Sequence, residues 1–302
     1  MQKYNCMDRK HPAFQVVFLN NKNFQKEQDV MDNVLSLPGR GNTYFYFSQM
    51  GKEGFSGEQQ KYIRDLIRDY RIRFSRLEIT AVWDFGMEEG TRYENEKYGV
   101  FADCRDLAVS NRDMASISFN HIRVSRMPED IPEQELQEIL EGYEAVRHIS
   151  AMAAQRRLEL MSKGTPPALI LESINAEAAA YFEEKGIRTD KLGGSREAGR
   201  IDPGPHNLLP LEDSCFADVW AIRRLEESMS IRRLTVHEIG HAISDAYGIS
   251  RDKRIRKLFS GCRDGFEDRE EFCAECFMAS ELTDRIPLAN EVAAVYRTCA
   301  GL

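Results

Sequence analysis

Apolar positions along the chain change their spacing near residue 128. Before that point they fall in short continuous or alternating runs, at residues 14–19, 43–47, 77–83 and 117–124, which predict strands. Between the first three runs, residues 24–37 and 58–73 read as helices, with Ser56 placed to cap the second. Strand, helix, strand, helix, strand is the order of a small α/β domain, expected over residues 1–127. The turn at Gly39 and Gly41 matches neither the P-loop nor the dinucleotide-binding template. Residues 84–113 are polar and carry Asp84, Glu88, Glu89, Glu94 and Glu96, the composition of a solvated loop.

After Pro128 and Pro132 the period becomes helical. Leu136, Ile139, Leu140, Tyr143, Val146, Ile149 and Ala153 recur at three- and four-residue steps and predict a long amphipathic helix ending near Gly164. Pro166 and Pro167 break it, and a second helix is expected over 171–184, stopped by Gly186. Glycine and proline make 192–211 a loop, and the remainder is helical. The expected fold class is therefore α+β: an α/β domain of unknown role over 1–127, then a mainly helical domain over 128–302. In the second, a helical linker (about 132–186) precedes a core at about 190–300.

Composition narrows the function classes. With 302 residues, 42% hydrophobic and 30% charged, the chain can bury a core without disulfide or metal staples. Forty-nine acidic against 41 basic residues give a net charge of −8, which argues against nucleic acid or an anionic membrane as the main partner. No apolar run approaches the ~20 residues of a bilayer span, and no apolar core of a secretory signal follows Met1. Seven irregularly spaced cysteines, an odd count, suit free thiols in a reducing cytoplasm.

The chemistry is concentrated in Thr235-Val236-His237-Glu238-Ile239-Gly240-His241-Ala242-Ile243. Ser230 as N-cap and Gly248 as the terminating residue place this His-Glu-x-x-His segment inside one helix of about 17 residues. His237 and His241 then share a face one turn apart and can reach one ion. Glu238 is turned about 100° away, poorly placed as a ligand but able to reach a water on that ion. The pattern points to zinc-activated hydrolysis. Gly240 costs about 1 kcal/mol relative to Ala inside a helix, so something is expected to pack closely over it. Asp245 lies about 12 Å along the axis from His237, too far to share the ion, and is expected to orient a histidine or to cap. Further on, Glu271 and Glu275 sit one turn apart beside Phe272, Phe277 and Met278. A metal for one and an imidazole N–H for the other would satisfy both buried acids.

His237-Glu238-x-x-His241 followed by a helical Glu271-x-x-x-Glu275 resembles the gluzincin branch of the zincin metallopeptidases. The wording His-Glu-Ile-Gly-His-Ala and Glu-Phe-Cys-Ala-Glu-Cys-Phe is most similar to catalytic domains of the anthrax lethal factor type and to metallopeptidases of bacterial prophages. The resemblance covers about residues 190–300 and does not reach the N-terminal region. It implies a zincin-like domain with His237, His241 and Glu271 as zinc ligands and Glu238 as general base. It also implies a supporting role for Glu275, expected to accept the outer N–H of His237. The metzincin branch fits less well, because Ser244 and Tyr247 stand where it needs glycine and histidine. One departure concerns the oxyanion: the neighbourhood Asp264-Gly265-Phe266 lacks the tyrosine that lethal-factor-like enzymes carry before the third ligand. His206 and Tyr247 are the candidates for stabilising it. Cys262, Cys273 and Cys276 are expected as buried free thiols, since a lone C-x-x-C within a helix is a weak zinc signal. Cys215 lacks the Glu-Gly-Cys context of a deformylase ligand.

The resulting expectation is a zinc-dependent endopeptidase, with Zn2+ as cofactor and a peptide or protein as substrate. The alternative is a degenerate zincin that keeps a structural zinc and serves a phage or mobile element as an interaction or assembly protein.

Overall fold

The computed structural model describes residues 34–47, 55–84, 102–109, 112–119, 124–185 and 215–302. The strand expected at 14–19, the loop at 192–211 and His206 lie outside the described residues. The described residues from Leu35 to Leu302 belong to one compact unit. It carries the elements below, the first described strand being β1 (Val34–Leu35). β1 corrects the end of the helix expected over 24–37: residues 34 and 35 join a sheet, whose backbone pairing overrides a weak local helical period.

Four further strands complete the sheet: β2 (Thr43–Tyr46), β3 (Ile79–Asp84), β4 (Ala102–Val109) and β5 (Arg112–Phe119), in the order β1-β2-β3-β5-β4. β2 and β3 are parallel, as are β3 and β5, while β4 runs antiparallel to β5 from Ala102↔Phe119 to Val109↔Arg112. The loop expected over 84–113 is thus corrected in its second half. Hairpin pairing with β5 makes a strand of a polar segment that local composition assigns to solvent. The strand expected at 117–124 instead ends at Phe119 and begins at Arg112.

Helix α1 (Gly57–Arg73) crosses between β2 and β3. Its start is the anticipated one: the Gln59 N–H donates to the Ser56 hydroxyl (3.2 Å) and the Ser56 N–H to the Gln59 side chain (2.9 Å), a complete capping box. α2 (Glu133–Ser162) and α3 (Pro167–Lys185) form the long helical hairpin. Pro167 opens α3 instead of preceding it, because a first-turn N–H has no intrahelical acceptor to lose. Then come α4 (Phe216–Glu227), α5 (Ile231–Tyr247), α6 (Lys253–Cys262), α7 (Arg269–Leu282) and α8 (Pro287–Ala300). Among the described residues, no helix is long and apolar enough to cross a membrane.

One hydrophobic cluster runs from Phe45, Ile117 and Phe119 of the sheet through Ile63 and Ile67 of α1 to Ile239 of α5 and Phe277 of α7. Residues on both sides of position 128 share it. α5 lies at its centre, against α7, α1, β4 and β5. The close approach anticipated at Gly240 is made by α7: a Cβ on Gly240 would stand 3.2 Å from both the Ala274 Cα and the Phe277 ring.

Candidate metal centre

α5 is the 17-residue helix that its capping residues predict. The Ser230 hydroxyl accepts the Arg233 N–H (3.1 Å), and Gly248 ends the helix in the left-handed conformation at φ 67°. Successive turns of α5 put His237 and His241 on one face, with their Nε2 atoms 3.1 Å apart. α7 brings the third donor. Its N-cap, Asp268, accepts the N–H groups of Glu270 (2.7 Å) and Glu271 (2.9 Å). Glu271 is therefore held in the first turn, where the helix dipole favours a carboxylate. Its Oε2 is 3.4 Å from His237 Nε2 and its Oε1 3.4 Å from His241 Nε2.

These spacings can be compared with coordination geometry. Donors about 2.05 Å from a tetrahedral zinc stand about 3.3 Å from one another. The two imidazole nitrogens stand 3.1 Å apart, each Glu271 oxygen lies 3.4 Å from one of them, and one ligand atom from each of the three residues falls within 4.8 Å of the others, spacings on the scale of such a site. Among the described residues, His237, His241 and Glu271 are the one group of three side chains arranged to hold a metal ion. His237 is 7% exposed, whereas the Glu271 side chain is 35% exposed, so the group opens to solvent on the Glu271 side.

The electrostatics follow from burial and proximity. Burial opposes charge on His237, but Glu226, Glu271 and Glu238 together outweigh it and hold the imidazole pKa well above its ordinary value. Burial is likewise overcome at His241, chiefly by Glu271, and its pKa is raised. Glu271, despite burial, is held below the usual carboxylate range by the two imidazoles. Around them, four carboxylates (Glu226, Glu238, Glu271 and Glu275) face two guanidiniums, Arg223 and Arg233. Glu238 is buried, 5% exposed, and adds to the field on both histidines.

The outer residues are arranged differently from expectation. The carboxylate facing His237 is Glu226, from the last turn of α4, with Oε2 3.3 Å from Nδ1. Glu275, expected in that place, is paired with Arg223. Burial pushes the Glu275 carboxyl up to about 7, Glu226 adding to the rise and Arg223 opposing it. Glu226 carries no motif spacing. The only hint of it is the short Ser228–Ser230 link, which folds α4 back beside α5. Asp245 is exposed in the last turn of α5, where its carbonyl accepts the Gly248 N–H. The Tyr247 hydroxyl accepts the Arg76 N–H (2.8 Å), with its ring edge-on to Phe74 and beneath the Arg76 guanidinium. Six residues beyond His241, about 9 Å along the axis, it braces the end of α5 against the turn after α1. Cys262, Cys273 and Cys276 are buried free thiols, and burial pushes Cys273 up to about 12.

Comparison with known proteins returns no match to this chain, whether among family models, curated proteins or solved structures.

Proposed function

We propose that this protein is a zinc-dependent peptidase of the gluzincin type, with His237, His241 and Glu271 holding the ion. The observation that carries the reading is the convergence of His237 Nε2, His241 Nε2 and the Glu271 carboxylate, whose two oxygens each lie 3.4 Å from one of the imidazole nitrogens. Two nitrogens and one oxygen suit a tetrahedral zinc with one position left open. Magnesium and calcium prefer six or more oxygens. Bound there, zinc would supply Lewis acidity, lowering the pKa of a water and polarising a carbonyl. Glu238, on the neighbouring face of α5, would serve as general base towards a water at the site and as proton donor to the leaving amine.

A peptide substrate is supported by the position of the sheet. β4 packs beside α5, and among the described strands it pairs only with β5. Among the described residues its outer edge has no strand partner, an arrangement that suits the addition of an extended chain. Glu238→Gln keeps the shape of the side chain and removes the base. The expected outcome is retained zinc with hydrolysis reduced by several orders of magnitude, while His237→Ala loses both. Loss of zinc in Glu238→Gln would make Glu238 a ligand.

A second reading is a catalytically degenerate zinc protein with an interaction role for a phage or mobile element. It is favoured by the engagement of Tyr247 with Arg76, which leaves the oxyanion helper unassigned among the described residues. Chelator-sensitive cleavage of a diverse peptide library separates the two, since only the peptidase reading predicts it.

A further inference from the structure

We infer that Glu226, and not Glu275, is the positioning residue of the metal centre, clamped by Arg233 so that His237 presents Nε2 to the ion. The inference rests on the zinc reading above. Glu226 stands in the last turn of α4, and the Ser228–Ser230 link turns the chain straight into α5. Arg233 and His237 are four residues apart on α5 and so project from one face. Both face the same carboxylate: Arg233 Nη1 donates to Glu226 Oε1 at 2.8 Å, and His237 Nδ1 lies 3.3 Å from Oε2, two buried atoms with no other hydrogen-bond partner among the described residues. The Arg233 side chain is 3% exposed and that of His237 9%.

This arrangement selects one tautomer. A neutral imidazole carries its proton on one nitrogen only. With the proton on Nδ1, it faces a carboxylate and leaves a lone pair on Nε2, towards Glu271 and His241. With the proton on Nε2, a lone pair would face the Glu226 carboxylate, and a proton would fill the space between the three donors. The Arg233 guanidinium on Oε1 fixes the carboxylate in place and leaves Oε2 turned towards the Nδ1 side of the ring. Glu275 is committed elsewhere, since Arg223, itself packed over the Phe266 ring, takes its Oε1.

The test uses the full chain and a competing chelator to measure zinc affinity. Glu226→Ala alone would strand the buried Arg233 charge, so the comparison is made in an Arg233→Met background, with melting curves to verify folding. Relative to Arg233→Met, adding Glu226→Ala should weaken zinc binding about 10–100-fold. Adding Glu226→Gln, which still offers Nδ1–H an oxygen, should recover most of that loss. The visible absorption of the cobalt-loaded protein should change in the Ala variant and return in the Gln variant. Glu275→Gln should weaken zinc less than Glu226→Ala does. The inference is overturned if the Gln variant tracks the Ala variant, if both bind like Arg233→Met, or if Glu275→Gln is the worse lesion. A wild-type protein that binds no zinc would instead defeat the metal-centre reading itself, and this inference with it.

Discussion

Glu271 and Glu275 share a helix face one turn apart, yet their surroundings separate their roles. Glu271 meets both imidazoles, and its carboxylate is the third corner of the donor triangle. Glu275 is buried against Arg223. Glu271→Ala should therefore abolish tight zinc binding. Glu275→Ala should retain a measurable site and lose stability, because it strands a mostly buried guanidinium. Zinc titration against a chelator, with melting curves of both variants, checks the order; tight zinc binding by Glu271→Ala would remove it from the ligand set. At this scale the donors were legible in the sequence because they carry spacing: one helical turn between the histidines and a buried Glu271-x-x-x-Glu275 pair. Glu226 was not, because its approach to His237 depends on how α4 folds back through residues 228–230. Tyr247 was misplaced for a similar reason: the Arg76 N–H that occupies its hydroxyl comes from a turn 171 positions away.

At the scale of elements, the packing of α5 on α7 sets the donor spacing. Gly240 permits it, and the Tyr296 hydroxyl reaches the Gly240 carbonyl (3.2 Å) to hold the pair from a third helix, α8. Gly240→Val would press a branched side chain against the α7 backbone. The expected cost is about 1–3 kcal/mol, in the range of core overpacking, with weaker zinc binding as α7 shifts Glu271. Calorimetry and zinc titration of the variant measure both; unchanged values would mean that the two helices are not in contact as described. The ends of α1 and α5 were readable because caps are local chemistry: Ser56 with Gln59, and Ser230 with Gly248. β4 was not readable, since its ladder partner is β5 and its own composition is that of a loop.

For the whole molecule, α5 is where the sheet, α1 and the C-terminal helices meet, and this convergence is non-local and absent from any sequence window. The centre also links stability to pH. In zinc-free protein the raised histidine pKa values mean that their ion pairs with Glu226 and Glu271 stabilise the fold fully below about 6.5, and that this contribution is lost as pH rises through the folded-state values. The lowered Glu271 pKa works in the other direction, with its contribution present above about 4.5 and lost in acid. Under the proposed function, zinc would take the deprotonated imidazoles in place of the protons. The gap in melting temperature between zinc-loaded and zinc-free protein should therefore widen as pH rises above about 6.5. A gap that narrows over that range would contradict the coupling.

The most direct test of the account is X-ray absorption at the zinc edge on the full chain, purified without chelator and paired with metal analysis. About one zinc per chain is expected, with nitrogen and oxygen neighbours at ~2.0–2.1 Å and the multiple scattering of two imidazoles. A sulfur shell at ~2.3 Å, or a protein that takes up no zinc, would contradict it.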